Sequence, residues 1–73
     1  MNYLYRPNQR VRIVGNSTIH HFVPKGDMVT IQDYSFSYHS KEPAYIVSCE
    51  ATNGRKTQLI VEKDLAPAGA RVV

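Results

Sequence analysis

Apolar and polar residues alternate with a period of two in short runs along this chain, and turn-forming residues separate the runs. Val11 and Ile13 alternate with Arg10, Arg12 and Val14, and Val29 and Ile31 alternate with Met28, Thr30 and Gln32. A period of two sends one set of side chains inward and the other toward water, so both runs read as half-buried strands. Residues 44–50 and 55–61 are rich in β-branched side chains and flank Asn53-Gly54, a strong short-range hairpin signal. Pro7, Gly15-Asn16-Ser17, Pro24-Lys25-Gly26-Asp27, the stretch 35–43 and Pro67 cut the chain into pieces too short for ordinary helices. After Val61 the alternation stops. Glu62-Lys63-Asp64-Leu65 suits one 3₁₀ turn, and residues 66–68 suit a last short strand.

This pattern predicts an all-β fold of five short strands. Five strands of this length are too few for two packed sheets, but one strongly bent sheet can close over its own core. An OB-fold carries a helix between its third and fourth strands, where this chain has its tightest turn. The expected architecture is therefore a small five-stranded SH3-like barrel with one short 3₁₀ turn. It forms a single domain over residues 1–73, with its core at about 10–68 and flexible tails at 1–7 and 69–73. A three-residue loop ending at a left-handed Gly54 would pair Val47 with Leu59, Tyr45 with Val61 and Cys49 with Thr57. In that register Tyr45, Val47, Leu59 and Val61 point inward with Val11, Ile13, Val29 and Ile31, and Leu65 caps the core. Ile46 and Ile60 then form an apolar pair on the outer face.

Length and composition narrow the function classes. The 73 residues hold a single cysteine, Cys49, which rules out an internal disulfide. With no hydrophobic leader in view, a reducing cytoplasm is the expected setting. No apolar run approaches the roughly 20 residues of a membrane-spanning helix, so no membrane role is expected. The nine Lys and Arg against six Asp and Glu give a net charge of +3, scattered along the chain. Scattered cations more often solubilise a surface than bind a polyanion.

The runs Arg10-Val11-Arg12-Ile13-Val14 and Met28-Val29-Thr30-Ile31, the loop ending Pro24-Lys25-Gly26-Asp27, the segment Tyr45-Ile46-Val47 and the closing Asp64-Leu65-Ala66-Pro67 resemble short SH3-like barrel proteins encoded by phages and prophages. The resemblance implies the barrel fold and a host-directed product acting on a host protein in the host cytoplasm. The peptide-binding SH3 domains are less similar. They use an aromatic groove with a tryptophan and an acidic first loop, whereas this chain has no Trp and its first loop, Gly15 to Asp27 inclusive, holds a single acid. KOW-like modules share a small barrel and a key glycine, for which Gly26 could stand.

Candidate chemistry is sparse. His20, His21, His39 and Cys49 suit zinc by type but lack paired ligand spacing, and Cys49 falls on the expected inner face, where a free cysteine packs as a small hydrophobe. Nothing near Cys49 would lower its thiol pKa, and no carboxylates are paired, so neither catalysis, nor a metal, nor a cofactor is expected. Aromatic residues carry the remaining signal. His20, His21 and Phe22 lie in the predicted loop after the first strand, and Tyr34, Phe36, Tyr38 and His39 lie in the one after the second. Together they are the candidate surface for a protein partner. The alternation of Tyr34, Phe36 and Tyr38 is equally that of a second strand extended into a hairpin arm. The alternative partner is a nucleic acid, contacted by Arg10, Arg12, Lys25, Arg55 and Lys56.

Overall fold

A computed structural model describes residues 2–15, 17 and 25–69. They form strands β1 (Arg10–Ile13), β2 (Met28–Ser37), β3 (Glu42–Cys49), β4 (Thr57–Val61) and β5 (Leu65–Pro67), with 3₁₀ turns at Glu50–Thr52 and Glu62–Asp64. There is no α-helix among these residues, and the second 3₁₀ turn goes beyond the single one predicted. The strands make one antiparallel sheet in the order β4-β3-β2-β1-β5.

Alternation along β1 and the first half of β2 works as predicted: Val11 pairs with Val29, and Val11, Ile13, Val29 and Ile31 are all fully buried. Between Ile31 and Asp33 the β2–β3 register shifts by one residue at Gln32. This bulge lets Ile31 and Tyr34, three residues apart, share a side of the sheet: Ile31 sits opposite Val47 and Tyr34 opposite Tyr45. Exposed Gln32 donates through Nε2 to Ser48 Oγ at 3.0 Å.

The β3–β4 register differs from the predicted one. Tyr45 pairs with Ile60, Ile46 with Leu59, Val47 with Gln58 and Ser48 with Thr57. Ile60 is therefore the β4 residue in the core cluster, Val61 is fully buried opposite Ala44, and Leu59 stays 38% exposed opposite half-buried Ile46. The cause is the connection. Residues 49–56 build a knot of backbone bonds in place of a three-residue turn: Cys49 N donates to Lys56 O at 2.9 Å, Asn53 N to Glu50 O at 2.9 Å and Gly54 N to Cys49 O at 3.1 Å. The Thr52 hydroxyl donates to Cys49 O at 2.8 Å and accepts from Lys56 N at 3.1 Å. Gly54 has the expected left-handed backbone, φ 75°, but Asn53 shares it at φ 54°. Two consecutive left-handed residues make a longer loop than the one predicted.

The core gains a residue from before β1. Tyr5 is buried among Val11, Ile13, Val29, Ile31, Tyr45, Val47, Cys49, Ile60 and Leu65, ahead of the boundary expected near residue 10. Its amide donates to the Tyr45 hydroxyl and its own hydroxyl to Leu65 O, both at 3.1 Å. Asp64, also buried, fastens the start of the β1–β2 connection. Its backbone oxygen accepts from Val14 N, and its carboxylate accepts from the amide and hydroxyl of Ser17.

Candidate interaction surface

Ten residues of extended chain in β2 outrun the four of β1, so β2 and β3 continue together as an arm closed by the turn at residues 38–41. Tyr34 and Phe36 belong to this arm and not to a loop, so of the two readings of their alternation the extended hairpin arm is the one observed. Both lie on the side of β2 that faces the core, paired with Tyr45 and Pro43. The arm reaches past the core, however, and leaves Tyr34 44% exposed, Phe36 half-buried and Tyr38 in the turn 84% exposed. Tyr38 packs edge-on against Phe36 with ring centroids 5.0 Å apart. The turn is pinned by Ser37 Oγ, which accepts from Ser40 Oγ at 2.8 Å; His39 is exposed within it, and Lys41 closes it with φ 56°.

A residue that sequence reasoning passed over completes the surface. Tyr3 packs at a tilt of 44° on Tyr34, with ring centroids 4.7 Å apart, and edge-on against Tyr45 at 5.5 Å, and its hydroxyl donates to Ser35 O at 2.5 Å. The available signal was the spacing of Tyr3 and Tyr5, two apart in a segment read as a tail. Leu4 between them is 73% exposed, and its amide donates to Glu62 Oε2, which also accepts the Tyr45 hydroxyl. Burial first, and then that bond to Glu62, pushes the Tyr45 phenol up from its ordinary value; burial, then the charge of Glu62, does the same for Tyr5. His20, His21 and Phe22 lie outside the described residues.

The candidate cations are placed differently. Arg10 grips Glu50 with Nε and Nη2 at 2.7 and 2.8 Å, and this bidentate bond holds the Glu50 carboxyl below its usual range. Arg12 donates to two backbone oxygens, Gly26 O at 2.7 Å and Ala68 O at 3.3 Å. Lys25 is exposed beside Gly26, while Arg55 and Lys56 are exposed where the chain enters β4. Arg10 and Arg12 thus spend their guanidinium groups on fixing the β3–β4 connection and the two ends of the β1–β2 and β5 segments.

Cys49 is buried on the core side as expected, and burial, then the charge of Asp27, pushes its thiol up and away from nucleophilic form. Among the described residues no three His, Cys, Asp or Glu side chains are grouped to hold a metal ion, and no helix is long and apolar enough to cross a membrane. No family model, curated protein or solved structure matches the chain.

Proposed function

We propose that this protein is a small non-catalytic protein-binding module of SH3-like barrel architecture, and that the aromatic face of the β2–β3 arm is its binding centre. The strand order β4-β3-β2-β1-β5 supports the barrel reading, as do a long β1–β2 connection, a bent β2 and a 3₁₀ turn before β5. The observation that carries the function is the exposure of Tyr34 on a two-stranded arm and of Tyr38 in the turn that closes it. Aromatic side chains have few rotors to immobilise and bury much apolar area, so they dominate protein interfaces when presented on a fixed scaffold. Nucleic-acid binding is the weaker reading, since a phosphate would have to displace Glu50 from Arg10 and backbone carbonyls from Arg12. The resemblance to phage-encoded barrels makes a host protein the expected partner.

The test is capture from host lysate, with and without nuclease, by wild type and by a chain carrying Phe36→Ala and Tyr38→Ala. A partner retained after nuclease and weakened by about 2 kcal/mol or more in the double variant supports the reading. Binding that survives the double substitution, or that nuclease abolishes, rejects it.

A further inference from the structure

Backbone direction along β3 shows which groups of the arm are left over. Cys49 N bonds Lys56 O, so Cys49 faces β4; direction alternates residue by residue, so Val47 and Tyr45 also face β4, and Ile46 and Ala44 face β2. Their partners Asp33 and Ser35 therefore turn toward β3, and the N–H and C=O groups of Tyr34 and Phe36 point to the opposite side of β2. Strand β1 would cover that side, but it does not reach. Its last pair with β2 is Arg10 and Thr30, extended only by Asn8 N to Ile31 O at 2.7 Å and Ile31 N to Gln9 O at 2.8 Å. The chain then turns away at Pro7 and Asn8, the latter at φ 72°. In place of a strand partner, Tyr34 N donates to the carboxylate of its own neighbour, Asp33 Oδ1, at 2.8 Å.

We infer that this edge of β2, at Tyr34 and Phe36, which no strand among the described residues pairs with, binds the partner by accepting an extended segment as an added antiparallel strand in line with β1. The inference rests on the arm being the binding surface, and it names the form of the ligand. Strand addition supplies main-chain bonds for affinity, while alternate side chains read the two faces of the edge. One face offers the rings of Tyr34 and Phe36, and the other offers Asp33, whose carboxylate is released when the incoming carbonyl takes the Tyr34 N–H. The segment that fits alternates apolar residues with polar ones, one of them basic and opposite Asp33. A second copy fits poorly. Each copy would bring its own Asp33 to the shared edge, a charge of the kind that keeps exposed edges from pairing with one another.

The probe is a blocked pentapeptide, acetyl-Val-Lys-Val-Thr-Val-amide, titrated into the full chain and followed by amide hydrogen exchange and chemical shifts. Its expected effect is to slow exchange of the Phe36 amide by on the order of tenfold or more at saturation, and N-methylation of the peptide backbone should remove that effect. Phe36→Pro removes the edge N–H at a site where proline is tolerated, whereas Phe36→Ala removes only the ring. The proline variant should therefore bind on the order of tenfold more weakly than the alanine variant. No protection of the Phe36 amide, or equal binding by the N-methylated peptide, overturns strand addition. The wild-type chain alone yields both readings, even if the proline variant fails to fold. Loss of strand addition with retained sensitivity to Phe36→Ala and Tyr38→Ala would leave the arm as a side-chain surface. Insensitivity to those two substitutions would reject the arm, whatever the peptide does.

Discussion

Replacing Ile60 with alanine tests the observed β3–β4 register directly, because the predicted register would have put Leu59 in its place. Ile60 has no exposed surface and lies in the core cluster opposite Tyr45, while Leu59, one residue away, is 38% exposed on the outer face. Truncating Ile60 removes three buried carbons at about 0.8 kcal/mol each, about 2.4 kcal/mol, and the cavity left in the core opposite Tyr45 raises the total to roughly 3–4 kcal/mol. The same truncation at Leu59 leaves no cavity and returns only part of its surface to water, for about 1–1.5 kcal/mol. A domain of this size has little stability to lose, on the order of 5 kcal/mol, so Ile60→Ala leaves it close to unfolding. Urea denaturation followed by circular dichroism gives the two free energies. In thermal melts Ile60→Ala should lower Tm by roughly 12–32 °C, since about 4–8 °C corresponds to 1 kcal/mol in a small domain. Equal losses at the two positions, or a larger loss at Leu59, would show that the loop at residues 49–56 does not set the pairing described here.

Two further outcomes follow from particular contacts. A Cβ added at Gly15 would stand 2.6 Å from Asp64 Oδ1, and that carboxylate is held by Ser17, so Gly15→Ala should cost about 1–3 kcal/mol in urea denaturation. Gly69→Ala, with nothing within 4 Å, should cost far less, and equal losses would refute the contact. The phenols of Tyr5 and Tyr45 are raised above the ordinary 10.0, so the native state holds their protons more tightly than the unfolded chain does. Their contribution to stability is complete below about pH 10 and is lost as pH rises through the raised native values. Spectrophotometric titration should find the ionisation of Tyr5 and Tyr45 delayed in the native protein relative to the denatured chain, and superimposable native and denatured curves would refute it.

The parts of the fold that were legible in the sequence are those where one face of a strand is apolar and the other is not. Val11, Ile13, Val29 and Ile31 alternate with polar neighbours, so period and burial coincide. In β4, Leu59, Ile60 and Val61 are apolar in succession and carry no period, so nothing in the strand itself distinguishes one register from its neighbour. The choice falls to the connection, where the Thr52 hydroxyl and the grip of Arg10 on Glu50 stabilise a longer loop than the Asn-Gly signal implies. Side-chain bonds of this kind join residues up to 40 positions apart, and no local pattern announces them.

The candidate surface was legible to the same extent and for the same reason. Tyr34, Phe36 and Tyr38 stand out by their alternation, which is that of the strand that holds the first two and leads into the turn that holds the third. Tyr3 and Tyr5 were missed because Pro7 reads as the break between a tail and a domain. In the structure Pro7 does break something, the pairing of β1 with β2, and the chain beyond it folds back so that Tyr5 enters the core and Tyr3 covers Tyr34. The same proline has a second consequence. Because it carries no amide hydrogen and its neighbour Asn8 takes a left-handed backbone, β1 cannot run on beside Tyr34 and Phe36. The backbone groups of those two residues are left to Asp33 and to whatever strand is offered, so the residue that obscured half of the surface in the sequence is also the one that keeps its edge open.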